Sequence, residues 1–369
     1  MRFFLPKFIL KVLLSALIIA FLVLAPFSLF SKLDELNYSL NTEYDFSSSK
    51  IIELWNVDTF EGGSGARSGW LEKKAIAFEK QNKGIYFVVR NLTLSQLELN
   101  LQSGNHPSLI SFGIGAGSFI SDKIISLSNS FGVRDDILNG GKLGGKLKAI
   151  PIMLGGYNLI SNGNLTEKND NLLDNFASTN IKNKSAFGYG NADNIVPLLS
   201  LYLNGINKLN NCYEKVESLD SFGAYDEFIS GKFVTLLGTQ RDYFRCRNRE
   251  NNLKMQNNSY YFLPNYSDLI QYMSVFKTDN ETEKLCEKFI EFVLSEKSQQ
   301  SLSDIKMFSV LNENIYTDEY KAYNNSLLKP LKTLSVFLSK DSTRNLKDLL
   351  NDYFYNGINN KREIEKYLV

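Results

Sequence analysis

The chain has 369 residues, a net charge of +1 and one histidine, and its lysines and acids are spread evenly. With no basic stripe and no acidic tail, the charge pattern argues against nucleic-acid binding. Three widely spaced cysteines, Cys212, Cys246 and Cys286, form no C-x-x-C pair, which argues against a disulfide framework or a zinc site.

In chain order, residues 1–11 carry Arg2, Lys7 and Lys11, and Val12 to Phe30 then run nineteen residues without a charge. That length suits a helix that crosses a bilayer, with the basic end in the cytoplasm and the rest outside. The run ends in Ala25-Pro-Phe-Ser-Leu-Phe-Ser31, a poor cleavage site, so the spacing predicts a transmembrane anchor, or a secretory signal if it is cut. No cysteine follows the run to take a lipid. Residues 31–50 are polar and read as a linker that keeps the folded body near the membrane.

The remaining length is large for one hydrophobic core and predicts two lobes. Ile51 to Val57 is a β-rich run, followed by a Gly/Ser loop and a helix with Trp70, Leu71, Ala75 and Phe78 on one face. Ile85 to Val89 is a second strand, Thr93 and Gln96 form a capping box, and Leu94, Leu97 and Leu101 share the next helix face. Ser108 to Phe112 is a third strand. This βαβαβ order predicts a right-handed parallel sheet with helices on both faces. Lys148 to Ile160 is too long for one strand and holds Pro151 and Gly155-Gly156, so it reads as a strand that bends or passes between lobes. Helices over 195–209 and 222–229 and a strand from Lys232 to Leu237 predict a second α/β lobe. Asp268 to Lys277 is a second crossing strand, Glu281 to Ser298 a strong helix, and the end, from Leu334 through Phe354, is helical.

Catalytic constellations are missing. His106, in Gly104-Asn-His-Pro107, has no nucleophile elbow to serve, and no calcium or phosphate-loop spacing occurs, so neither an enzyme nor a cofactor site is predicted. Two nearby carboxylates such as Asp58 and Glu61 are the only hint of glycoside chemistry.

The order of the pieces resembles the extracellular solute-binding proteins of bacterial ABC importers, in the sugar-binding family. The residues that carry the likeness are Ile51 to Trp55, Phe78-Glu-Lys-Gln-Asn-Lys-Gly84, Pro107-Ser-Leu-Ile-Ser111, Ala149-Ile-Pro151 with Gly156-Tyr157, Phe228-Ile-Ser-Gly-Lys232, and Cys286 to Gln300. It covers roughly Ile51 to Leu368. It implies a two-lobed periplasmic-binding-protein-like fold of type II with a hinge: a first lobe of 51–150 plus 265–310 and a second of 151–264 plus 311–369. It also implies a monomeric receptor that closes over a sugar and presents it to ABC permease subunits in the membrane. The chain departs from the family in lacking a lipoprotein cysteine, which leaves open a rival reading: a membrane-tethered, non-transporting scaffold of the cell envelope.

In open α/β sheets ligands gather at the carboxyl ends of strands. The candidate ligand-binding residues are therefore those beside the predicted cleft loops. Trp55, Tyr157, Tyr189 and Tyr243 are candidate aromatic platforms for sugar C–H faces. Asp58, Glu61, Arg67, Asn191, Asp193, Gln240, Arg241 and Asp242 are candidate hydroxyl partners, with Gly113 in the adjoining loop. Arg67 and Arg241 would also suit an anion.

Overall fold

The computed structural model describes residues 49–60, 66–162, 185–189, 194–206, 220–253 and 258–369. The chain divides at Lys50, and the architecture below is that of Ile51–Val369. The anchor predicted at Val12 to Phe30 lies outside the described residues. Among the described residues no helix is long and apolar enough to cross a membrane.

A five-stranded sheet is ordered β2-β1-β3-β11-β6. Its strands are β1 (Lys50–Val57), β2 (Ile85–Leu92), β3 (Leu109–Phe112), β6 (Ile150–Leu154) and β11 (Ile270–Val275). All four residues of the central strand β3 are buried, as a strand covered on both faces requires, and so are all five of β6 at the sheet's edge, where Leu154 bridges to Phe308. β1 runs parallel to β3 with Leu54 opposite Leu109, but β11 is antiparallel to both its neighbours. The sheet is therefore mixed rather than parallel, because β11 arrives from the far end of the chain and returns through the sheet's middle. α1 (Arg67–Gln81) buries Trp70, Leu71, Ala75 and Phe78, and the Phe78 ring meets Phe289 edge to face at 5.4 Å. α2 (Leu94–Gln102) begins with the predicted box: Thr93 accepts from the Gln96 amide, and Gln96 accepts from the Thr93 amide. Beside them, β4 (Lys142–Leu143) and β5 (Lys146–Leu147) form a small hairpin.

A second, four-stranded sheet is ordered β10-β7-β9-β8, from β7 (Tyr157–Asn162), β8 (Ser185–Tyr189), β9 (Phe233–Thr239) and β10 (Asn258–Leu263). β7 is antiparallel to β9 and β10, while β8 and β9 are parallel. α3 (Pro197–Leu203) is shorter than the helix predicted over 195–209. Pro197 opens it and Gly205, at φ +86°, follows its end. α4 (Ser221–Ile229) and α5 (Gln240–Leu253) pack together on the sheet through Ala224, Tyr225, Phe228 and Cys246 over Ile160 and Leu236.

The predicted helix over Glu281 to Ser298 is two helices, α6 (Asn280–Val293) and α7 (Glu296–Gln300), because Ser295 leaves the helical conformation to start the second. α8 (Asp318–Leu327) packs near β10, and α9 (Lys340–Tyr355) and α10 (Lys361–Glu365) close the chain. Leu334 to Leu338, predicted helical, is extended and turned instead. It is held by a bridge from Leu334 to Leu368 and by the Val336 amide donating to the Gly140 carbonyl at 2.8 Å.

The chain passes between the sheets at Leu154-Gly155-Gly156-Tyr157 and again at Leu263 to Ile270. These passages are laced together: the Gly155 amide donates to the Leu269 carbonyl at 2.7 Å, and Leu154 exchanges backbone bonds with Phe308. Gly155 is required by this crowding, since a Cβ there would lie 2.7 Å from Gln240 Nε2 and 2.9 Å from Leu269 Cβ.

Candidate functional site

The loop after β1 meets the loop after β3 and, from the second sheet, the segment after β8. The Asn194 side-chain amide donates to the Thr59 carbonyl at 3.0 Å and lies against Gly115, so it joins the two sheets' loops directly. On the first-sheet side, Arg67 is almost fully buried at the start of α1. Its Nε donates to Asp58 Oδ1 at 2.7 Å, one Nη donates to the Phe60 carbonyl, and the guanidinium lies 4.2 Å from the Phe60 ring centroid. Asp58 also accepts from Asn56, which bonds Asn91 and takes a donor from Gln271, so a polar network runs back into the sheet. Gly113 sits against Thr59 and Phe60 so closely that any side chain would collide with the Thr59 hydroxyl. Of the predicted residues, Asp58, Arg67 and Gly113 are brought together here.

Two residues past Asn194, Val196 lines a pocket of about 220 Å³. Tyr189, Val196, Pro197 and Leu198 line it on one side, and α9 contributes Arg344, Lys347, Asp348 and Asn351 together with the buried Leu350. Tyr189, half-buried at the carboxyl end of β8, is the predicted platform that lines a pocket. Burial raises its phenol above the ordinary value. α9 is positioned by its own cap, the Ser339 hydroxyl accepting from the Ser342 amide, and by Tyr353 meeting Tyr202 edge to face.

Tyr157 and Gln240 lie elsewhere, in the passage between the sheets. Tyr157 is 1% exposed and stacks on Tyr266, and its hydroxyl donates to Asp268 at 2.6 Å. The same carboxylate accepts from the Val196 amide at 2.7 Å, which ties the pocket wall to the crossing segment. Burial raises the Asp268 carboxyl above its ordinary value, while the bonds from Tyr157 and Val196 oppose that shift. Gln240 accepts from the Gly156 amide at 3.0 Å and donates to the Met307 sulfur, so it braces the passage. The glycine pair that made Tyr157 look like a bared platform instead admits Gln240 and Leu269 at Gly155, and Leu327 and Tyr323 at Gly156.

Trp55 and Tyr243 are core residues. Trp55 is 1% exposed, its indole donating to Glu53, and Tyr243 meets Phe244, Tyr260, Phe262 and Tyr323. Asp242 is buried in the first turn of α5 and accepts from the Thr239 amide; burial raises its carboxyl, against the pull of that bond and of Arg241 and Arg245. Arg241 lies over the Phe222 ring at 3.9 Å. Glu61, Asn191 and Asp193 lie outside the described residues. Among the described residues no group of three or more His, Cys, Asp or Glu side chains is arranged to hold a metal.

Sequence reasoning missed Thr59, Asn194, Val196 and the polar face of α9. For α9 a signal existed: Arg344, Lys347, Asp348 and Asn351 share one face at helical spacing, with the buried Leu346 on the far side. Nothing in the sequence places that face opposite Tyr189.

No protein-family model matches the chain, and no curated protein does. Solved structures do. The sugar-binding protein MalE from the phytopathogen Xanthomonas citri superposes with a TM-score of 0.61 at 12% identity, covering 86% of this chain and 95% of that one. The GacH receptor of Streptomyces glaucescens, solved unliganded and with acarbose, gives 0.58 at 13% identity over 82% and 91% of the two chains. Iron-bound HitA from Pseudomonas aeruginosa gives 0.54 at 14% identity over 82% and 99%. At these identities the likeness concerns architecture: the chain has a mixed α/β fold that matches the two-lobed binding proteins, among them sugar-binding ones.

Proposed function

We propose that this protein is a carbohydrate-binding receptor of an ABC importer. The observation that carries the proposal is the pocket at Tyr189, walled by an aromatic and aliphatic surface on one side and by the polar face of α9 on the other. Sugars present the same two characters, C–H patches that pack on aromatic faces and hydroxyls that need fixed hydrogen-bond partners. In this reading the pocket lies within the second lobe, and it adjoins the point where the Asn194 side chain bonds the Thr59 carbonyl in the first sheet's loop. The fold matches that of sugar-binding receptors such as MalE. In this reading the function is binding rather than catalysis. In it, one lobe holds the first sheet, with residues 51–154 and 265–310, and the other holds the second sheet, with 155–264 and 311–369. Val12 to Phe30 anchors the receptor on the extracytoplasmic side, where permease subunits receive the ligand.

The test is a thermal-shift and calorimetry screen of the full-length protein against a broad panel of mono- and oligosaccharides. Saturable binding of a sugar, weakened at least about tenfold by Tyr189→Ala through loss of an aromatic contact, supports the proposal. A panel with no binder removes its basis, and co-purification of a permease from membranes tests the transport partner separately.

A further inference from the structure

We infer that the hairpin of β4 and β5, with Lys148 and Lys277 beside it, docks on an anionic lipid surface. The inference rests on the reading that Val12 to Phe30 holds the body at a membrane, and it adds the face by which the body meets that membrane.

The hairpin displays one face. Leu143 and Lys146 are register partners across the Gly144-Gly145 turn, so their side chains lie on the same side, and Lys142 and Leu147 lie on the other. Leu147 packs against the core and the Leu127 amide donates to its carbonyl at 2.8 Å, which pins that side down. Leu143 and Lys146 are left exposed. Gly144 and Gly145 have φ of +57° and +76°, the two left-handed positions of a tight hairpin turn, and a Cβ on either would meet nothing within 4 Å. The tip therefore projects clear of the body. Lys148 and, after β11, Lys277 continue the charge: after burial, Lys277 and then Lys146 lower the Lys148 ammonium from its ordinary value, with Asp122 opposing. Lys148 Nζ donates to the Ile124 carbonyl at 2.8 Å and Lys277 Nζ to the Asp122 carbonyl at 2.7 Å, and among the described residues none of the three lysines forms an ion pair. They repel one another, and an anionic surface relieves that repulsion.

The place of this face selects a bilayer over other anionic partners. β1 is parallel to β3 and β11 is antiparallel to both β3 and β6, so the starts of β1 and β6 and the end of β11 share one end of the sheet. Ile51, where the chain enters the body, lies at that end with Lys148 and Lys277, whereas the loops bearing Asp58 and Gly113 lie at the other. Residues 31–49 reach no more than about 65 Å when fully extended at about 3.4 Å each, so the end that carries the lysines is the one tethered nearest the lipid. An exposed leucine among lysines suits the headgroup boundary, where an apolar side chain enters and ammonium groups meet phosphates. Docked this way, the body holds the loops at the carboxyl ends of β1 and β3 away from the lipid, a pose for capture.

The experiment is amide hydrogen exchange on the full-length protein reconstituted in nanodiscs of phosphatidylglycerol or of phosphatidylcholine. The amides from Lys142 to Lys148 are expected to exchange at least about fivefold more slowly on phosphatidylglycerol, the factor that one lysine at an anionic surface contributes. Sodium chloride at about 0.5 M should remove the difference by screening. The double variant Lys146→Glu, Lys277→Glu should remove it too, and the salt arm keeps the test sound if that variant does not fold. Equal exchange on the two lipids overturns the inference and leaves the receptor reading standing. Slowing in native membranes but not on phosphatidylglycerol assigns the face to an acidic protein and overturns the lipid assignment. Protein that stays with neither disc ends the anchor reading and this inference with it, while sugar binding, measured separately, is untouched.

Discussion

The Tyr157 hydroxyl donates to the Asp268 carboxylate at 2.6 Å inside the passage between the two sheets, and Asp268 reaches on to the Val196 amide at the pocket wall. One buried carboxylate thus links a strand start, a crossing segment and the segment that opens α3. Because burial raises its folded-state value above the ordinary 3.8, its contribution to stability is present below that value and is lost as pH rises through the raised one. Asp268→Asn removes this dependence. Urea unfolding should show the variant's deficit against wild type shrinking from pH 4 to pH 8; a deficit constant across that range would contradict the linkage. Asp268→Ala, which strands both donors, should cost about 2–5 kcal/mol at either pH.

Gly117 packs against the Val336 carbonyl oxygen so tightly that a methyl group would collide with it, and that oxygen belongs to backbone that cannot rotate aside. Gly117→Ala should therefore lower stability by about 1–3 kcal/mol, measured by chemical denaturation. An unchanged midpoint would mean that the Leu334 to Leu338 segment is not seated as described.

Cys246 and Cys286 are buried thiols, and burial pushes each up to about 12. In a Cys212→Ser background, a thiol reagent at pH 8 should label both at least about a hundredfold more slowly in native buffer than in urea. Rapid native labelling of either would show that its helix opens readily.

The Thr93 box satisfies amides at the start of an exposed helix end. Thr93→Ala should cost about 1 kcal/mol, and Thr93→Ser, which keeps the hydroxyl, much less, by the same unfolding assay.

That box was legible in the sequence because its partners are three residues apart, and so were the strands from Lys50 to Val57 and Leu109 to Phe112, whose apolar runs are local. The direction of β11 was not legible. Pairing it antiparallel to β3 depends on how some 150 intervening residues fold, and local pattern says nothing of that. The break at Ser295 and the short α3 escaped for a smaller reason: helical periodicity continues across both ends, and only capping geometry stops it.

The sequence by itself determined the even charge, the single histidine, the strands and helices built on local periodicity, and the order that resembles the solute-binding fold. The tertiary structure alone decided which aromatics are core and which line a pocket. Trp55, Tyr157 and Tyr243 are enclosed by residues distant in sequence, whereas Tyr189 faces a pocket because α9 ends its path opposite. Burial is a property of neighbours, and neighbours are set by long-range packing that a residue's own sequence context does not encode.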